Sequence, residues 1–327
     1  MQVYNIEIKN TLPVLTNLVE AIRNFKDSEN TYLTRENLHP GILKNSFGIN
    51  EGPLPEFLKR LGIRSLTLDS FYTGKAIYDC KSLTVEADAK NQWREIKSDQ
   101  LIADLRDLFL HCRTIAFDDW TNVANSSDLW GGLLSDVIRP LKKANLELIF
   151  YLGDPTRRLT FQVDEILDIM SEFSRHGRVT FCLDESEAVK LWTVLNGEPP
   201  VSELENHTPS ELKRKYFSIF RTMTVDRLLI YSVNDAILYS NDEQFIMTRK
   251  NVDQGIEIAR NARDNFVSGF TIGLLLKLDM HQCIALGLIV FGAYGESPSG
   301  FDRNTLVSYI NTWIEDLDKP DAIHLYQ

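Results

Sequence analysis

Apolar and polar positions change rhythm along the chain. Residues 14–25 repeat at helical spacing, with Leu15, Leu18, Val19 and Ile22 on one face. The stretch 45–52 is rich in turn formers, 55–61 reads as a short helix closed by Gly62, and 63–68 as a strand. Residues 74–87 alternate as a hairpin would, with Ala76 and Tyr78 on one arm and Leu83 and Val85 on the other. From about residue 98 short apolar runs alternate with amphipathic stretches. The pattern predicts helices over 99–109, 133–144, 163–173, 185–195 and 211–223, and strands over 114–117, 146–152, 178–183 and 227–232. A second hairpin is predicted over 236–240 and 244–247. Two buried helices follow within 266–293, joined at Leu278-Asp279-Met280, and a last helix spans 305–317.

Strands that alternate with helices predict an α/β fold: a mostly parallel sheet covered on both faces. Ligands of such sheets bind beyond the carboxyl ends of the strands. The residues just after the predicted strands are Asp118-Asp119, Asp154, Asp184-Glu185 and Asn234-Asp235, an acidic rim at the expected place. Asp and Asn also favour turns and helix caps, so the rim has a structural reading beside the functional one.

Composition narrows the classes of partner. Asp and Glu number 46 against 35 Lys and Arg, a net charge of −11, which repels nucleic-acid phosphates and anionic membranes. Cys80, Cys112, Cys182 and Cys283 stand far apart, without zinc spacing, and read as reduced, buried thiols of a cytoplasmic protein. The N-terminus lacks the basic start and apolar run of a signal peptide. The most apolar stretch is interrupted by Lys277 and Asp279, which leaves the uncharged run 265–276 shorter than the ~20 residues of a membrane span.

One stretch is more specific. Asn261-Ala-Arg-Asp-Asn-Phe-Val-Ser-Gly-Phe resembles the D-T-x-G-A-G-D-x-F-x-x-G-F signature of the ribokinase-like (PfkB) carbohydrate kinases, with Ala262, Asp264, Phe266, Gly269 and Phe270 in register. Earlier segments agree in order. Asp154-Pro-Thr-Arg-Arg resembles D-x-N-x-R, Leu183-Asp-Glu-Ser-Glu-Ala resembles L-N-x-x-E-A, and Gly48-Ile-Asn with Arg60-Leu61-Gly62 resembles the G-G…R-L-G element near the sugar site. The resemblance covers roughly residues 46–302. It implies a ribokinase-like three-layer sandwich in a single domain over 1–327. A small β lid would come from segments within about 1–50 and 70–97, and such lids often pair two copies into a homodimer.

The resemblance also implies a chemistry: ATP-dependent phosphoryl transfer to a hydroxyl of a sugar or nucleoside-like small molecule, which requires a base, donors for the phosphoryl charge and Mg²⁺. Asp264 takes the position of the base. Asn261, Ala262 and Arg263 take the anion hole, with Arg158 as a phosphate partner. Ser232, Asn234 and Gly292 fall at nucleotide positions, and Gly48 and Asn50 at sugar positions. Asp184 and Glu187 take the Mg²⁺-linked positions, directly or through water. The early Asp of the family has only Asp27 and Glu36 as candidates by position.

The chain departs from the pattern chiefly at glycines. It has 17 in 327 residues, about 5% against the usual ~7%. Ile49, Asn261, Arg263, Val233 and Ala236 stand where the family carries glycine, most of them facing a phosphate. Glycine lets a backbone bend freely and approach a phosphate closely. Arg263 either fills the phosphate site or supplies a cation to it. Gly269, Gly273 and Gly292 read as helix-packing glycines. Two expectations stand side by side: a divergent carbohydrate kinase, or a catalytically inactive relative that binds a sugar, a nucleotide or a protein partner.

Overall fold

The computed structural model describes residues 2–5, 8–24, 32–35, 50–68, 92–117, 120–143, 145–198, 207–232, 235–248, 262–296 and 302–317. In chain order the elements are β1 (Gln2–Asn5), α1 (Ile8–Asn24), β2 (Tyr32–Arg35), β3 (Asn50–Pro53), α2 (Glu56–Arg60) and β4 (Ile63–Leu68). Then come α3 (Trp93–Ile96), α4 (Asp99–Leu110), β5 (Cys112–Phe117), α5 (Ser126–Leu133), a π-helical turn (Leu134–Ile138) and α6 (Arg139–Leu141). β6 (Glu147–Tyr151), α7 (Thr160–Phe173), β7 (Arg178–Asp184), α8 (Glu185–Asn196), α9 (Pro209–Thr222) and β8 (Arg227–Tyr231) follow. The chain ends with β9 (Asp235–Ser240), β10 (Glu243–Thr248), α10 (Ala262–Leu275), α11 (Met280–Glu296) and α12 (Arg303–Leu317). The α/β expectation holds, with helices on both sides of the sheet.

The chain forms two compact units. One comprises 30–38 and 52–230; the other comprises 1–29, 39–51 and 231–327. In the first, the strand order is β8-β7-β6-β5-β4-β2. β5, β6 and β7 are parallel, whereas β4 is antiparallel to both β5 and β2. The sheet is therefore mixed rather than mostly parallel. The apolar content of a strand reports burial and not direction, so 63–68 carried no sign of the reversal. Phe117 and Phe150 stack at 4.6 Å between ring centres, and Trp130 and Phe173 pack edge-on around them. Trp130 also donates from Nε1 to the Leu61 carbonyl at 3.0 Å. Gly62 beside it, at φ +73°, leaves room for that ring, since a Cβ there would lie 2.9 Å from Nε1. At the amino ends of the strands, buried Arg227 donates to Glu147 at 3.0 Å and to Thr180 at 3.2 Å, joining β8, β6 and β7.

In the second unit the order is β1-β10-β9, with β1 parallel to β10 and β10 antiparallel to β9. The predicted hairpin is thus present. Leu15, Leu18, Val19 and Ile22 of α1 are all buried, as their spacing requires, and α1 packs on α11 and α12. α10 and α11 approach closely through glycine. A Cβ on Gly269 would lie 2.5 Å from the Leu286 carbonyl oxygen, and one on Gly273 would lie 2.8 Å from Cys283 Cα. Tyr231 stacks on Phe266 at 4.4 Å between centres.

Several boundaries differ from the pattern. The helix predicted over 133–144 begins seven residues earlier, at Ser126, and ends at Leu141. Its first turn, Ser126-Ser127-Asp128, is polar because Ser126 donates to the Trp120 carbonyl at 3.0 Å and Asp128 accepts from the Trp93 backbone. β3 begins inside the predicted loop 45–52 and ends at Pro53, and β1, β2 and α3 carry no clear periodic signal. The hairpin expected over 74–87 lies outside the described residues, as does Cys80. Cys112, Cys182 and Cys283 are buried, and none of them forms a disulfide among the described residues. Among the described residues no helix is long and apolar enough to cross a membrane.

Candidate functional site

β5, β6 and β7 are adjacent and parallel, so the turns that follow them lie side by side. The turn after β6 begins at Asp154. Its Oδ1 accepts from the Thr156 backbone at 3.1 Å and the Thr156 hydroxyl at 2.6 Å, which caps the 3₁₀ turn Pro155–Arg157. Its Oδ2 accepts from Lys190 Nζ of α8 at 2.8 Å. Partial burial opposes ionisation of Asp154, but the bonds from Lys190 and Thr156 outweigh it and hold the carboxyl below its ordinary pKa.

Arg158 follows in the same turn and reaches the turn after β5. Its Nη2 donates to the carbonyls of Thr121 at 2.9 Å, Val123 at 3.2 Å and Trp120 at 3.5 Å. The guanidinium carbon lies 5.4 Å from the centre of the Trp120 ring, a cation–π distance. Its Nε is buried and has no hydrogen-bond partner among the described residues.

β7 ends at Asp184, where α8 begins. Asp184 Oδ1 accepts from the Glu187 backbone at 2.7 Å, and Glu187 Oε2 accepts from the Asp184 backbone at 3.0 Å. This is a capping box, each side chain satisfying a helix N–H that lacks an intrahelical partner. Glu187 is buried, 6% exposed. Magnesium demands near-octahedral oxygen geometry and keeps several of its waters. Two carboxylates that each give an oxygen to the backbone, one of them buried, suit a helix cap and do not suit Mg²⁺. Among the described residues no group of three or more His, Cys, Asp or Glu is arranged to hold a metal.

The structure therefore brings Asp154, Arg158, Asp184 and Glu187 to one edge of the first unit. Lys190 was missed by the sequence reading. Its only signal was its place three residues after Glu187, on the same side of α8. Asp118 and Asp119, of the same acidic rim, lie outside the described residues.

The other candidates belong to the second unit. Ala262, Arg263 and Asp264 form the first turn of α10. Asn261, immediately before it, lies outside the described residues, as do Asn234, Gly48, Asp27 and Glu36. Ser232 is bonded twice to Asp235: its N–H donates to the Asp235 carbonyl at 2.7 Å, and its Oγ accepts from the Asp235 N–H at 3.0 Å. Gly292 is buried within α11, and Asn50 opens β3.

No family model matches the chain, and no curated protein matches it. Solved structures similar to it include sugar and adenosine kinases. Arabidopsis thaliana ribokinase, complexed with ribose and ATP, is 13% identical over 65% of this chain and 59% of its own, with a TM-score of 0.44. Adenosine kinase from Sinorhizobium meliloti is 13% identical over 68% of this chain and 58% of its own, with a TM-score of 0.45. A carbohydrate kinase from Agrobacterium tumefaciens is 11% identical over 82% and 74%, with a TM-score of 0.44. The chain spans less than two thirds of the length of the first two.

Proposed function

We propose that the chain is a ribokinase-like kinase that moves a phosphoryl group from ATP to a hydroxyl of a sugar or nucleoside-like small molecule. The observation that carries this reading is the place of Asp264 in the first turn of α10, a helix otherwise packed into the interior. A carboxylate in a first turn lies near the positive end of the helix dipole, which favours its ionised form. Ionised Asp264 takes the proton of the acceptor hydroxyl as its oxygen bonds to the terminal phosphorus. The bond from that phosphorus to its bridging oxygen breaks, and ADP leaves. The N–H groups at the start of α10 have no intrahelical partners and suit the charge of the phosphoryl in transit. The nucleotide enters as substrate, and no step runs through Asp184 or Glu187. Pairing of two copies through the 74–87 hairpin belongs to the same proposal and is read by light scattering.

A second reading, an inactive relative that binds a small molecule or a protein, is favoured by the engagement of Arg158 and Asp154 with the protein itself. One experiment separates the two. Thermal stabilisation by Mg·ATP, and by a panel of sugars and nucleosides, is measured on the full chain alongside ATP turnover. The kinase reading expects stabilisation by nucleotide and turnover that falls by about 10²–10⁴ in Asp264→Asn. No nucleotide effect at millimolar concentration would overturn it.

A further inference from the structure

We infer that the described residues at the carboxyl edge of β5–β7 form a clasp that engages itself and not a divalent-cation site: Lys190 is the cation of Asp154, Asp184 and Glu187 serve the start of α8, and Arg158 anchors the turn after β5. Each of the three strand ends is tied by a side chain from its neighbour or from its own helix. Lys190 crosses from α8, after β7, to the turn after β6 at 2.8 Å. Arg158 crosses from that turn to three carbonyls of the turn after β5. That turn is also joined to β6 by the Thr121 N–H, which donates to the Leu152 carbonyl at 3.3 Å.

The partners of the carboxylates agree. A metal site built of carboxylates needs oxygens that face the ion rather than other protein groups. Here Asp154 is balanced by an ammonium. It is held in its ionised form below the ordinary pKa by Lys190 and Thr156, against the effect of burial. Asp184 and Glu187 give one oxygen each to backbone N–H groups. A phosphate at Arg158 would compete with the carbonyls that hold its Nη2.

This inference does not rest on the kinase reading, since a nucleotide can bring its own metal. Its test uses Mn²⁺ as the probe, alone and with ATP, on the full chain, by electron paramagnetic resonance. Glu187→Gln and Asp184→Ser both keep a side chain able to cap while removing the negative charge. The inference expects Mn²⁺ binding to be unchanged in both, or absent from the wild type as well, with Tm unchanged. Asp184→Ala, which removes the cap, lowers Tm without altering Mn²⁺ binding. A loss of about tenfold or more in Mn²⁺ affinity in Glu187→Gln or Asp184→Ser, at unchanged Tm, would overturn it. Failure of ATP turnover alongside the expected Mn²⁺ result sinks the kinase reading and supports the clasp.

Discussion

The α10–α11 contact and the carboxyl edge of β5–β7 treat close approach in opposite ways. Between the helices, Gly269 and Gly273 are kept where a Cβ would strike the Leu286 carbonyl or the Cys283 backbone. The glycines that the kinase pattern places against phosphate are replaced, as at Arg263 and Val233. At the strand ends, groups suited to a ligand are engaged by the protein: Asp154 by Lys190, Arg158 by carbonyls, and Asp184 and Glu187 by the start of α8. Backbone meeting backbone still demands glycine. The contrast sets packing, which requires glycine, against strand ends whose polar groups are taken up by neighbouring protein groups.

The most damaging change should be Gly269→Val, because the helix pair cannot separate without uncovering its buried faces. A loss of about 3 kcal/mol is expected from urea unfolding. Tolerance within ~0.5 kcal/mol would remove the packing half of the comparison. Arg158→Ala should come next, at about 2 kcal/mol, since it strips charged hydrogen bonds from the turn after β5. Nucleotide binding that falls in this variant while stability holds would return Arg158 to a ligand role. Asp184→Ala should cost about 1 kcal/mol of helix capping, and Asp184→Ser should restore it.

The smallest effect belongs to Lys190→Met. The ion pair is about one third exposed on each side, 37% and 32%, so less than ~1 kcal/mol is expected. Its pH dependence is the sharper readout. The folded-state pKa of Asp154 is lowered, so the stabilisation is complete above the unfolded-state value of about 3.9 and is lost as pH falls through the folded-state value. Wild type and Lys190→Met should differ most near neutral pH and converge in acid. A difference that persists unchanged into acid would mean that Lys190 acts by packing alone.

Particular elements show what the chain made legible. α10 and α11 were readable because two apolar runs are broken at Lys277 and Asp279, and the structure places the turn there, with Lys277 at φ +56°. α1 was readable because its buried face repeats at helical spacing. β1 and β2 were not, since four residues are too few to show alternation and their bounds depend on neighbouring strands. The polar start of α5 looked like a loop because the partners that satisfy it, Trp120 and Trp93, are distant in sequence. The same limit applies at the rim. Asp154 was visible as an acid after a strand, and Lys190, which decides what that acid does, lies 36 residues away.

The sequence by itself determined the α/β alternation and the buried helix pair, because periodicity and local capping act over a few residues. Tertiary structure alone decided the reversed direction of β4, the glycine contact between α10 and α11, and the engagement of Arg158 and Asp154. Each of these depends on which distant groups the fold brings within hydrogen-bonding or contact distance. No local pattern encodes that choice.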